Sequence, residues 1–217
     1  MVRYRWYKLL TKKDINFIYK KIQSIPFDDG NKKGFIIESA SEKNVNGVFY
    51  YIVSIMQENA NVDIINAVNF SISKVRKEMY LRIHNPSHSI KAFSDLLFEV
   101  CDFDLAFDPI PISFENIKDW IKHYNLDAQI NLIKISDFKI NEDITTEITF
   151  KSRKELNLLD IDLIKGRKYN ITSMSWLIFD SGKSYKILVS KTGLITISEY
   201  LALDIIRYVE NQILDNQ

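Results

Sequence analysis

The stretch 169–197, YNITSMSWLIFDSGKSYKILVSKTGLITI, decides the fold class. It holds three runs rich in β-branched and aromatic residues, at 169–179, 184–190 and 193–197, separated by Asp180-Ser181-Gly182 and Lys191-Thr192-Gly193. Glycine supplies the positive φ that tight hairpin turns need, and strands joined by such short turns run antiparallel. The stretch therefore reads as a β-meander. Directly after it Ser198 stands where a helix N-cap is expected, and Leu201, Ala202, Ile205, Ile206, Val209 and Ile213 recur at helical spacing up to residue 214. Strands in sequence followed by separate helices define an α+β class rather than alternating β-α units.

Working outward, two more strands are predicted at about 129–136 and 145–151. Before them Ser113 caps a helix to 124 that buries Phe114, Ile117, Trp120, Ile121 and Tyr124. A helix over 89–101 carries Ile90, Phe93, Leu96, Leu97 and Val100 on one stripe, and Pro109 and Pro111 break the chain between the two. Residues 62–84 hold one or two strands, the last ending at Asn85-Pro86. Two further strands fall at 34–40 and 47–56, with Asn44 and Asn46-Gly47 as the turn signal between them. In the second, Phe49, Tyr51 and Val53 alternate with Val48, Tyr50 and Ile52; both sets are apolar, which predicts a central strand covered on both faces. The chain opens with a strand over 2–10. Thr11-Lys12-Lys13-Asp14 then reads as a capping box for a helix over 11–25 with Ile15, Ile18, Tyr19, Ile22 and Ile25.

The expected architecture is a single α+β domain over 1–217, mostly antiparallel sheet with about four amphipathic helices, and with a subdomain boundary near 125–128. A chain of 217 residues can bury a core without disulfides or metals. Cys101 is the only cysteine, so no internal disulfide forms, which suits a reducing compartment. Arg3, Arg5 and Lys8 occupy the place of a signal peptide's apolar segment, and the longest apolar run, Val48 to Met56, is too short and polar for a bilayer span. The expectation is a cytoplasmic protein, without membrane contact and without a cofactor. The 33 Ile against 7 Ala suit an A/T-rich, bacterial genome.

The formal net charge of +1 lacks the basic excess of a phosphate-backbone binder. Charge is uneven, however: nine Lys/Arg lie within 1–33, whereas 92–120 carries Glu99, Asp102, Asp104, Asp108, Glu115 and Asp119. Such polarity either orients a partner or decorates two solvated faces.

The densest polar cluster is Arg82, His84, Ser87, His88 and Lys91, at a strand-to-helix hand-over. Helix-start amides with Arg, Lys and Ser donors fit an anion, and a histidine would titrate near neutrality; a plain helix cap gives the same pattern. Arg3, Arg5, Trp6 and Lys8 offer cations and a ring to nucleic acid, although a half-exposed strand also reads this way. Asp137-Phe138-Lys139 with Asp127 upstream has the acidic-x-Lys form of metal-dependent nucleases, a triplet that composition also supplies by chance. Gly182-Lys183-Ser184 is not a phosphate loop, because the position five before Gly182 is Leu177 and the segment joins strand to strand. His84 and His88 form no metal pair, since Pro86 keeps a helix from aligning them. Cys101 falls on an apolar stripe and reads as inert core. No catalytic or metal-binding residues are assigned.

Two functions are expected from this pattern. The first is a non-catalytic binding or adaptor subunit of a bacterial multi-protein system, of a defence type, with another protein subunit as partner and self-association open. Its aromatic content, 27 Phe, Tyr and Trp, suits an interface. The alternative is a nucleic-acid- or nucleotide-binding protein, a phosphodiesterase or nuclease, using the N-terminal strand and the 82–91 segment.

Overall fold

The computed structural model describes residues 1–28, 30–57, 60–86 and 90–214. It has the expected α+β class: antiparallel strand pairing throughout each of two compact units, and four helices. The units are Tyr4–Ile110, and Pro111–Gln217 with Met1–Arg3. Residues 125–128 lie inside the second unit, where a helix passes into a strand. No helix among the described residues is long and apolar enough to cross a membrane.

In the first unit, β1 (Val2–Leu10), β2 (Lys33–Ala40), β3 (Asn44–Gln57), β4 (Ala60–Val75) and β5 (Glu78–His84) form a sheet in the order β2-β3-β4-β5-β1. A short strand, β6 (Ala106–Pro109), which lies in the proline break expected to be irregular, pairs with β1. Side chains alternate across the sheet, so cross-strand partners build rows on one face. Tyr7, Leu81, Ile72 and Val45 form one row, and Ile83 and Phe70 stand in the next. Against this face pack α1 (Ile15–Gln23), through Ile15, Ile18 and Ile22, and α2 (Lys91–Val100), through Phe93, Leu96, Leu97 and Val100. Phe93 is fully buried, with its ring against Phe35, Phe49 and Phe70.

Several local expectations are corrected. Asn44, Asn46 and Gly47 do not form a turn; they are part of β3. The turn is Ser41-Glu42-Lys43, where the Ser41 hydroxyl accepts from the backbone N–H groups of Lys43 and Asn44. Gly47 is required for space, since a Cβ there would lie 2.6 Å from the Ile36 carbonyl oxygen and 3.3 Å from the Phe70 ring. The N-cap of α1 is Asp14, which accepts from the Phe17 N–H at 2.7 Å, whereas the Thr11 hydroxyl accepts one turn earlier from Lys13 N–H.

The second unit contains α3 (Phe114–His123), β7 (Asp127–Lys139), β8 (Thr145–Lys151), β9 (Asn170–Asp180), β10 (Lys183–Ser190), β11 (Ile195–Ile197) and α4 (Ala202–Tyr208). Its strands run in the order β11-β10-β9-β7-β8. Ser113 and Asn116 close a reciprocal capping box at the start of α3. The meander is present, and its first turn holds Ser181 and Gly182 at φ +50° and +76°, the twisted hairpin geometry expected of that sequence. Ile197, Ile187, Trp176 and Ile130 form one cross-strand row, and Ile195, Val189, Met174 and Ile133 the next. Ser198 does not cap the last helix. Its hydroxyl accepts from Lys186 N–H at 3.0 Å, and a 3-10 turn over Glu199–Leu201 leads into α4 instead. A π-turn over Val209–Ile213 then shifts the apolar stripe, so that Tyr208, Val209 and Leu214 are buried.

Candidate functional site

Arg82 and His84 are two residues apart on β5 and therefore share one face of its sheet. Arg82 is half-buried, opposite Trp6 on β1 and Ser71 on β4. His84 stacks on the Tyr4 ring at 5.0 Å, and its Nε2 lies 3.2 Å from Asn85 Nδ2. Lys91 is exposed at the first position of α2, and the N-cap position is taken by Ile90 without a side-chain cap. Ser87 and His88 lie outside the described residues, so the structure brings together only the Arg82–His84 part of the expected anion site.

The N-terminal strand differs from a base-stacking platform. Trp6 is 1% exposed and has no free ring face to offer. Arg5 is half-buried with its guanidinium 5.4 Å from the centre of the Tyr7 ring, and Lys8 pairs with Glu78 at 3.1 Å. Arg3 is exposed.

Part of the uneven charge is matched inside the first unit. Lys13 and Lys21 bond Asp102, Lys33 approaches Glu99, and Asp104 accepts the Lys12 backbone N–H. The Lys13 hydrogen bond, with the charge of both lysines, holds the Asp102 carboxyl below the usual carboxylate range. Three lysines of the basic segment thus meet Asp102 and Glu99 across α1 and the end of α2.

The nuclease-like triplet is dispersed. Asp127 and Asp137 sit ten positions apart on β7, roughly 30 Å at strand rise. Asp137 occupies a bulge at φ +55°, where Asn170 Nδ2 and the Ser136 hydroxyl donate to its carboxylate and lower its pKa. Phe138 is buried. Among the described residues, no three His, Cys, Asp or Glu side chains group to hold a metal. Cys101 is fully buried, and burial, with Asp104 and Asp102 nearby, pushes its thiol up to about 11.

A cavity of about 520 Å³ lies in the second unit. Ile130, Ile133, Ile171 and Met174 form its floor, Leu156 and Leu158 a wall, and Lys118, Glu155, Asn157 and Asp160 its rim. A second cavity of about 220 Å³ adds Ile121, Lys122, Ala128 and Trp176. Lys118, Ile130 and Glu155 line both, so the two cavities adjoin beside α3. The chain after β8 builds the wall. Ser152 N–H donates to Asn131 O and Leu156 N–H to Ile130 O, at the bulge where the β7–β9 register shifts. Two 3-10 turns, Leu158–Asp160 and Asp162–Ile164, follow, the first capped by Asn157. An apolar floor under a mixed-charge rim binds by inserting apolar groups and fixing them with a few polar contacts. None of these groove residues was expected as a site, because residues 152–168 carry no strand or helix periodicity.

A second exposed surface lies on the β3–β4 hairpin. β2 pairs with β3 only as far as Tyr51, and β5 with β4 only as far as Asn69, so the hairpin continues past both neighbours as a two-stranded ribbon. Val53, Ile55, Met56, Val62, Ile64 and Ile65 are exposed on it. The signal in the sequence is the absence of Lys and Arg from Asn44 to Ser73.

No protein-family model matches this chain, and no curated protein is recognisably similar to it in sequence.

Proposed function

We propose that this protein is a non-catalytic binding subunit, an adaptor of a multi-protein system, which receives an extended apolar segment of a partner protein in the groove beside α3. The observation that carries this reading is that Lys118, Ile130 and Glu155 line both of two adjoining cavities. The partly exposed Ile130, Leu158 and Ile171 accept apolar side chains of an extended chain, and Glu155 and Asp160, with Lys118 paired to Glu115, line its flanks. The nucleic-acid alternative draws no support from the N-terminal strand, where Trp6 is buried and Lys8 is ion-paired.

A photo-crosslinking residue placed at Lys118 in the native cell tests the reading. The expected result is one protein adduct, mapped to an apolar extended segment and lost when Leu158→Glu blocks the groove. An adduct to nucleic acid would favour the alternative. An adduct indifferent to Leu158→Glu would remove the groove as the binding site.

A further inference from the structure

The ribbon carries an inference that does not depend on the groove. Val45, Phe49, Tyr51, Val53 and Ile55 fall on one face of β3, and Val62, Ile64, Val68, Phe70 and Ile72 on the same face of β4. This is the core face. Val45, Phe49, Val68, Phe70 and Ile72 belong to the packed cluster under α1 and α2, and Tyr51 packs at its margin. Past that margin the apolar pattern continues uncovered: Val53 and Ile55 are each 41% exposed, Val62 39% and Ile64 42%. The opposite face is more polar, with Ser54 bonded to Asp63 between Met56 and Ile65.

The usual protections of an exposed two-stranded arm are missing. Edge strands are kept from association by lysines, prolines or bulges. No Lys, Arg or Pro occurs from Asn44 to Ser73, and β3 and β4 pair without a register shift from Asn44↔Ser73 to Gln57↔Ala60. The chemistry of the face also selects its occupant. Heterologous interfaces are anchored by Trp, Tyr and Arg in pockets, whereas interfaces between identical subunits are the more uniformly apolar. Val53, Ile55, Val62 and Ile64 offer only branched aliphatic surface, and Asp63 points to the other side, so two such faces meet without opposed like charges. Each rung holds one Val and one Ile, Val53↔Ile64 and Ile55↔Val62, so the face meets an identical face without a mismatch of size.

We propose that the face formed by Val53, Ile55, Val62 and Ile64 is covered by the same face of a second copy of this chain, making an isologous dimer. Sedimentation equilibrium of the full chain from about 1 to 100 µM, the range in which modest interfaces reveal themselves, tests it. The wild type is expected to be dimeric at the upper end, Ile55→Lys with Val62→Lys monomeric with unchanged circular dichroism, and Met56→Lys with Ile65→Lys still dimeric. A monomeric wild type, a dimeric Ile55→Lys/Val62→Lys protein, or equal loss in both variants would overturn the proposal. A second measurement avoids dependence on lysine variants that fail to fold. Cys101 is buried and does not compete, so Ile55→Cys and Met56→Cys each present one reactive thiol. Random collision favours position 56, where Met56 is 81% exposed. The dimer favours position 55, and oxidation is expected to cross-link Ile55→Cys at least about tenfold faster, the rate ratio that preassociation readily supplies. Equal rates, or faster linkage through position 56, would overturn it.

Discussion

The two ends of β4 invite comparison. Near its C-terminal end, Phe70 and Ile72 lie under α1 and α2 at 4% and 0% exposure. Towards its start, Ile64 and Ile65 are 42% and 60% exposed, although the strand, its pairing with β3 and its β-branched residues are the same. Strand formation here needs only a cross-strand partner, while burial needs a helix overhead. α1 and α2 contain nine and ten residues, about 14–15 Å each, and cannot cover strands of fourteen and sixteen residues. The surplus length leaves apolar side chains uncovered.

The comparison makes its largest claim on the covered end. Phe93→Ala removes a ring packed on Phe35, Phe49 and Phe70 and is expected to cost about 3–5 kcal/mol in a urea titration. A loss under about 1 kcal/mol would mean that the helix layer does not seal this end. Cys101, in the same cluster, sharpens the point through pH. Its thiol ionises near 9 when unfolded and at about 11 when folded, so the folded state holds the proton longer. The contribution is complete below pH 9 and is lost as pH rises towards 11, with a size of about 2 kcal/mol. Cys101→Ala should lack that part of the alkaline decline, as read from the difference between the two proteins at pH 8 and pH 10.5. A smaller effect, about 1 kcal/mol, is expected for Asp14→Ala, because Asp14 caps the helix that provides half the cover. Thr11→Ala should cost less, and the reverse order would return the cap to Thr11.

Where the structure follows the sequence, a single local rule was sufficient. The stripes Ile15, Ile18, Ile22 and Phe93, Leu96, Leu97, Val100 face the core because 3.6-residue periodicity leaves one choice of face. Ser181-Gly182 turns because both residues adopt positive φ. Where several residues could do one job, sequence alone did not rank them. Thr11 and Asp14 both accept backbone N–H groups, and Ser198 is drawn to Lys186 across the sheet. Asn46-Gly47 has the form of a turn, but Gly47 answers to the Ile36 carbonyl oxygen and, less tightly, to the Phe70 ring, neighbours across the sheet. The groove was illegible for the same reason: its wall is an aperiodic segment held by backbone bonds to a bulge in β7. Of the expected anion site, only the placement of Arg82 and His84 on one face followed from strand alternation.

The smallest expected effect tests the comparison most closely, because it keeps the strand and the residue type constant. Ile72→Ala deletes a fully buried side chain and is expected to cost about 2–5 kcal/mol. Ile65→Ala makes the same chemical change seven residues away in β4, on the ribbon face that the dimer leaves open. Its cross-strand neighbour is Ile52, so it gives up one aliphatic pair and some strand propensity, together about 0.5 kcal/mol. Little further loss follows, since a side chain already in water leaves no cavity. Parallel urea titrations of the two variants, each repeated at low and high protein concentration, read both numbers. A cost for Ile65→Ala above about 1.5 kcal/mol would mean that this face, too, is covered in solution. If that cost fell on dilution, the cover would be a second copy seated on the face opposite to the one proposed. If it did not, the cover would be part of the same chain, and the ribbon would no longer stand apart from the core.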